Sequence, residues 1–320
     1  MAINREISQF SNFVSVDDNT KKVSISTSFD IGGDSVISGI ATAQKFIGDG
    51  SELRGLRSTE LVSYASASDI SNSALSISGI STYNEVGILT NSYSSLSDRF
   101  GSSVATSADG KIIIVGATQD EVSSSNGAVY VFDREGNTFN EVGILTGSYA
   151  SDNSDYFGQS VATSADGKTI VVGAYLDETG STSDTGVVYV YDREGNNFNE
   201  VGILTGSSGA DGQDRFGYSV ATSADGKTII VGADQDETSG SGSYGLVYVY
   251  DREGNNFNEV GILTGSSGAD GQDRFGYSVA TSADGKTIIV GADQDETSGS
   301  GSYGLVYVYD REGNNFNEVG

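Results

Sequence analysis

Along residues 83–320 the apolar positions fall in short runs with period two, not in helical stripes. Between Gly217 and Gly265 the runs are "GYSVATSA" (Gly217–Ala224), "TIIVGAD" (Thr228–Asp234), "GLVYVYD" (Gly245–Asp251) and "NFNEVGILTG" (Asn256–Gly265). They are rich in Val, Ile, Tyr and Thr, which suit a pleated surface. In "LVYVY" the alternation puts Val247 and Val249 on one face and Tyr248 and Tyr250 on the other. "TIIV" is apolar on both faces, as an inner strand covered on two sides would be. Between the runs stand turn residues. "ADGK" (Ala224–Lys227) is an Asp-Gly tight turn, and "DREGNN" (Asp251–Asn256) offers Gly254 for a positive φ. "DQDETSGSGSYG" (Asp234–Gly245) is polar and longer, with the character of an exposed loop. No helical pattern is present in this part of the chain.

The pattern repeats. Phe-Gly pairs stand at 100, 157, 216 and 275, so the spacings are 57, 59 and 59 residues. Each unit carries the same four strand-like runs. A lone four-stranded sheet buries too little, whereas blades stacked around an axis bury both faces and leave only short edges. The prediction is an all-β protein of tandem four-stranded antiparallel blades of β-propeller type. A β-solenoid is the competing solution, although its coils are usually shorter.

Composition narrows the chemistry. The chain has no Cys, His, Pro or Trp. Disulfides, thiolate metal sites, zinc ligands of the usual kind and the usual nucleophile–base pairs are excluded. The net charge of −27 is uneven: residues 1–80 hold 6 basic and 9 acidic residues, and residues 81–320 hold 11 and 35. Such a surface repels nucleic acid and anionic membranes, and it favours solubility. The opening residues contain no long apolar run, and no transmembrane stretch occurs anywhere. Export by the ordinary secretory route is therefore not expected.

Each unit reads Phe-Gly, then "SVA", an Asp-Gly turn, "VGA" and "VYV". This resembles the FG-GAP repeat, the blade unit of integrin α-subunit propellers and of many microbial proteins. Phe216, Gly217, Gly232 and Ala233 take the name-giving positions. The following proline is replaced by Thr118, Tyr175, Asp234 and Asp293. The resemblance implies the fold and is nearly silent about function. The family often binds Ca2+ through D-x-D-x-D-G, a pattern that is not intact here. The nearest loops hold Asp234, Asp236 and Glu237; Asp293, Asp295 and Glu296; and Asp177 and Glu178, with Asp120 and Glu121 in the first unit. Calcium wants six to eight oxygens, so carbonyls and water would have to complete such a site, with Asp211 and Asp214 nearby. A solvated acidic loop is the plainer reading. A glycosidase pair of carboxylates is disfavoured because these residues recur in every unit, and an active site is normally built once. No catalytic residues and no other cofactor are expected.

The ends of the repeat region are informative too. Val188–Gly261 and Val247–Gly320 are identical over 74 positions. The fourth run occurs five times, from Tyr83, Asn140, Asn199, Asn258 and Asn317, against four copies of the others. In a closed ring the early copy could complete the last blade as a clasp, leaving the final copy surplus. The expectation is a fragment of a longer array or an open arc.

Residues 1–60 are of different material. "VDDNTKKVSIST" (Val16–Thr27) reads as a hairpin. "GIATAQKFIGDGSELRGL" (Gly39–Leu56) and the opening "MAINREISQFSNFVSVDD" resemble modules of tail fibres and related structural proteins of tailed marine phages. That resemblance implies a small β-rich attachment module, often trimeric. Residues 61–82, rich in Ser and Ala, form a linker or one short helix. The combined expectation is a non-enzymatic virion protein of tail-fibre type, a host-adhesion or decoration module. It would dock to the particle by its N-terminus and bind a host-surface glycan or protein by the loops at 118–126, 175–185, 234–244 and 293–303. It would insert into no membrane, bind no nucleic acid, and form a homotrimer through the fibre module. A calcium-dependent microbial cell-surface adhesin is the alternative. Tyr218, Tyr244, Tyr248 and Tyr250 could stack on sugars or pack in the core.

Overall fold

The computed structural model describes residues 14–17, 22–25, 85–93, 97–120, 122, 127–148, 155–177, 185–207, 214–236, 244–266, 273–295 and 303–319. The chain divides into two compact units, Met1–Asn84 and Glu85–Gly320. In the first, β1 (Val14–Asp17) and β2 (Lys22–Ile25) pair antiparallel, Val14 opposite Ile25 and Asp17 opposite Lys22. The hairpin is therefore present and begins two residues before Val16. The Gly39–Leu56 module and the 61–82 stretch lie outside the described residues.

The second unit contains four antiparallel four-stranded sheets, each a simple meander. Blade 1 is β3 (Phe100–Thr106), β4 (Ile112–Ala117), β5 (Ala128–Glu135) and β6 (Thr138–Leu145). Blade 2 is β7 (Ser160–Thr163), β8 (Thr169–Ala174), β9 (Val187–Glu194) and β10 (Asn197–Leu204). Blade 3 is β11 (Phe216–Thr222), β12 (Thr228–Ala233), β13 (Leu246–Glu253) and β14 (Asn256–Leu263). Blade 4 is β15 (Phe275–Thr281), β16 (Thr287–Ala292), β17 (Leu305–Glu312) and β18 (Asn315–Glu318). The first strands of successive blades lie against one another, β3 on β7, β7 on β11 and β11 on β15, while the fourth strands barely touch. That radial splay is the packing of a propeller.

The core sits between blades. Val247 and Val249 join Ile230 against Phe275 and Ile288 of blade 4, whereas Tyr248 and Tyr250 turn the other way onto Val171, Val188 and Val190 of blade 2. β12 is buried along its whole length, as its two-sided apolar pattern requires. The same letters in β16 behave differently: Ile289 is 41% exposed and, in β17, Val306 is 64% exposed. At the other end Val104 is 68% exposed. Blade 1 otherwise buries that face, with Val115, Tyr130 and Phe132 at 4%, 0% and 3%, but no described strand of blade 4 packs on it, so the sheets form an arc and not a closed ring.

Three bonds recur at every joint. The Ala108 N–H donates to the Ala165 carbonyl, Ala165 to Ala224 and Ala224 to Ala283, at 2.9, 2.8 and 2.9 Å. Ser103, Ser160 and Ser219 hydroxyls donate to the carbonyls of Gly158, Gly217 and Gly276 at 2.7, 2.8 and 2.7 Å. Arg193, Arg252 and Arg311 reach back to Asp133, Asp192 and Asp251 of the preceding blade. The Asp-Gly turns are clipped locally: the Ser223 hydroxyl donates to Asp225 Oδ1 and accepts from Thr228 N–H, at 2.7 and 3.0 Å. That bond from Ser223 leads the causes holding the Asp225 carboxyl below the ordinary range.

The early copy of the fourth run does not clasp blade 4. Leu89 packs against the blade 1 cluster of Val115, Tyr130 and Phe132, as Phe100 does. Gly87 abuts the Phe139 ring as Gly143 abuts Phe198 and Gly202 abuts Phe257. Residues 85–90 therefore stand where the fourth strand of a preceding blade would. β18 pairs with part of β17, from Tyr309 opposite Glu318 to Glu312 opposite Asn315. No described helix is long and apolar enough to cross a membrane.

Candidate functional site

The pairing of Phe216 with Ala233, and of Ala233 with Leu246, places the start of β11, the base of the 234–244 loop and the start of β13 at one end of the blade. The described acidic candidates of these loops, Asp120, Asp177, Asp234, Asp236, Asp293 and Asp295, lie there. Asp177, Asp236 and Asp295 are 1%, 1% and 2% exposed. Each accepts a hydrogen bond from a buried tyrosine hydroxyl, of Tyr189, Tyr248 and Tyr307 respectively. In blade 1 the Tyr130 hydroxyl donates to Asp120 Oδ2 at 2.6 Å. The Asp236 N–H donates to the Ala233 carbonyl and its carbonyl accepts from Gly245 N–H, so this residue also ties the loop base.

Asp234 and Asp293 are brought together by a cation. Arg274 donates from Nε and Nη2 to Asp234 Oδ2 at 2.9 and 2.7 Å, and from Nη1 to Asp293 Oδ2 at 3.4 Å. Arg215 Nη1 lies 3.8 Å from the same Asp234 oxygen. Burial pushes the Asp234 carboxyl above its ordinary value, and the Arg274 bonds only partly offset this. Its Oδ1 is buried and has no hydrogen-bond partner among the described residues. With two guanidinium groups at that carboxylate, the field there opposes a further cation. Glu178, Glu237 and Glu296 lie outside the described residues. Among the described residues no group of three or more His, Cys, Asp or Glu is placed to hold a metal ion.

A second feature crosses the blades at this end. A register shift between Phe216 and Ser219 makes a bulge, with Gly217 at φ +87°, and brings Tyr218 to the blade's rim. Blade 4 has the same shift at Phe275 and Ser278. Tyr156, Tyr175, Tyr218 and Tyr277 then line up across three blades, with successive ring centroids 5.2, 5.4 and 5.3 Å apart. Arg215 lies 5.8 Å from the Tyr175 ring and 5.9 Å from Tyr218, and Arg274 lies 4.3 Å over Tyr277. All six side chains are half-buried. Tyr156, Arg215 and Arg274 sit in the left-handed region at φ 55°, 61° and 58°. That costs of order 1 kcal/mol each for a side-chain-bearing residue, and such strain clusters at functional sites. Desolvation, before its bond with Tyr277, pushes the Tyr218 hydroxyl up to about 12.

The ladder unites residues from different units: those flanking Phe-Gly and, in Tyr175, the slot after Gly-Ala. The aromatic letters at 218 and 277 were the available signal. Tyr248 and Tyr250 belong to the core, at 0% and 4% exposure, so sugar stacking is closed to them. Of the proposed contact loops, the bases are described and the tips, 123–126, 178–184, 237–243 and 296–302, are not. Planar rings beside guanidinium and carboxylate groups can stack on the C–H face of a sugar and hydrogen-bond its hydroxyls.

The family model for the FG-GAP repeat matches residues 83–132, 139–191, 198–250 and 257–309. Each match begins at the fourth run and ends in the third strand of the following blade, the unit that the joints bind together. No curated protein matches the chain. Among solved structures it is similar to the Kuenenia stuttgartiensis hydrazine synthase, at 16% identity and a TM-score of 0.43, over 70% of this chain and 49% of that one. The chain thus spans about half the length of that protein.

Proposed function

Since this chain belongs to the FG-GAP repeat family, we propose that it is a non-enzymatic binding scaffold. It is a virion structural protein of tail-fibre type that attaches a phage particle to its host. The Tyr156–Tyr175–Tyr218–Tyr277 ladder with Arg215 and Arg274 carries the reading. It is a rim of stacked rings assembled across blades, at the base of the polar loops, and its ligand is a host-surface glycan. Repetition suits multivalent attachment, where several weak contacts on one surface act together. The N-terminal module docks to the particle, and the trimer expected of that module would multiply the rims. The acidic surface suits work in a salty medium. Localisation to the virion rests on the likeness of residues 1–56 to marine phage fibre modules.

Antibodies raised against residues 85–320 test this. They are expected to label purified phage particles and to slow particle adsorption to host cells. Particles that lack the chain, or adsorption indifferent to the antibody, would count against it.

A further inference from the structure

The three joints between blades are not equally made. At the turn end of blades 3 and 4, Arg311 grips both oxygens of Asp251, and its Nη1 donates to Asp251 Oδ1 at 2.8 Å and to the Thr228 hydroxyl at 3.4 Å. Arg252 does the same between blades 2 and 3, with Nη1 2.7 Å from Asp192 Oδ1 and 3.2 Å from Thr169 Oγ1. Each threonine stands opposite the clamped aspartate in the strand register, Thr228 to Asp251 and Thr169 to Asp192. In blade 1 the place opposite Asp133 is taken by Ile112. Its Cδ1 lies against Gly167 of blade 2, where Thr169 Oγ1 lies against Gly226 of blade 3. A methyl group thus replaces the hydroxyl at the first joint. There Arg193 makes a single bond to the preceding blade, from Nη2 to Asp133 Oδ2 at 2.7 Å. Arg193 Nη1 and Asp133 Oδ1 are both buried and have no hydrogen-bond partner among the described residues. Each has given up water without recovering a bond, which weakens the joint that buries them.

The loop end shows the same order. Between blades 3 and 4, Arg274 donates twice to Asp234. Between blades 2 and 3, the slots of that ion pair hold Arg215 and Tyr175, a cation 5.8 Å from a ring. Between blades 1 and 2 they hold Tyr156 and Thr118, and neither carries a charge. The Tyr156 ring turns onto Tyr175 of its own blade instead, at 5.2 Å. What the first joint keeps lies in its core and along the inner strands. Phe157 is 1% exposed, Ser103 donates to the Gly158 carbonyl, and Ala108 N–H donates to the Ala165 carbonyl, as at the other joints.

We propose that the joint of blades 1 and 2 is a hinge. It opens at its outer edge, where the clamps are incomplete, and pivots on the inner strands, where the bonds remain. Blades 2–4 carry the whole tyrosine ladder and swing as one body on blade 1, because the joints within that body are clamped at both ends. Hinges of this kind reorient a rigid unit through a few positions that absorb the motion. Here the motion tilts the rim while its rings keep their mutual spacing.

The chain contains no cysteine, so paired spin labels can be placed by substitution alone. Asn137, Asn196, Asn255 and Asn314 are exposed and occupy the same turn of successive blades. Asn137→Cys/Asn196→Cys spans the first joint, and Asn255→Cys/Asn314→Cys spans the third. Pulsed electron paramagnetic resonance is expected to give a distance distribution about twofold wider across the first joint than across the third, since opening is easiest where the contacts are fewest. Ile112→Thr, which supplies the missing hydroxyl, is expected to narrow the first distribution to the width of the third. Thr228→Ile is expected to widen the third. Unchanged circular dichroism identifies the variants that remain folded. Equal widths in the two parent pairs would overturn the proposal. So would a first-joint width that the folded Ile112→Thr chain leaves unchanged, or a third-joint width that the folded Thr228→Ile chain leaves unchanged.

Discussion

Gly232→Ala is expected to lower the urea midpoint severely, while Gly291→Ala, the same change in an identical stretch of sequence, is expected to do little. A Cβ at Gly232 would lie 2.1 Å from the Gly276 carbonyl oxygen of the next blade and 2.3 Å from Ser219 Oγ. The serine can rotate, but it then surrenders its bond to that same carbonyl. The backbone of blade 4 cannot move away without opening the joint. Overpacking of this kind typically costs about 1–3 kcal/mol, and here about 3 kcal/mol or more is expected because backbone opposes it. At Gly291 the only contact under 3.4 Å is Ser278 Oγ at 2.4 Å, and no following blade stands there. Less than about 1 kcal/mol is expected at that site. Equal losses at the two glycines, measured on dilute monomeric chain, would show that the cost is local to the strand and not a property of the joint.

Phe275→Ala carries the second large effect. The ring is 2% exposed and meets Tyr307 and Tyr309 edge-on, with centroids 5.2 and 6.3 Å away. Truncating a buried phenylalanine costs about 3–5 kcal/mol through lost transfer energy and the cavity left behind. Phe100, the same position in blade 1, has no complete blade before it and is only half-buried. Phe100→Ala is expected to cost clearly less in the same denaturation series. A larger loss at Phe100 than at Phe275 would contradict burial between blades as the source of stability. Together the two positions give the repeated letters a physical reason. The phenylalanine fills the joint, and the glycine after Ile-Val lets one backbone approach the next.

Much of this was legible in the sequence. Period-two alternation placed Val247 and Tyr248 on opposite faces, and they do pack on different neighbours. The Asp-Gly turn at Asp225 and the positive φ of Gly254 followed from turn chemistry. What escaped was whatever depends on radial packing. Tyr175, Tyr218 and Tyr277 lie in different blades, and no local pattern says that they will stack. Asp236 reads as a loop carboxylate until its fold-mate Tyr248 is seen to donate to it across the loop base. The early fourth-run copy could have closed a ring on blade 4, and only its seat on blade 1 decided otherwise. Val306 and Val247 carry the same sequence around them and differ in exposure solely because a blade follows one and not the other.

Binding of the fluorescently labelled full chain to intact marine bacterial cells, grown as a panel of strains, tests the central claim most directly. Saturable binding to at least one strain is expected. Tyr218→Ala/Tyr277→Ala is expected to weaken it at least tenfold, equivalent to about 1.4 kcal/mol. The folded spectrum should be retained, since both rings lie on the rim and not in the core. The same binding is expected in calcium and in excess chelator. Binding abolished by chelator would move the account to a calcium-dependent adhesin. Binding unchanged in the tyrosine variant would contradict the rim as the recognition surface.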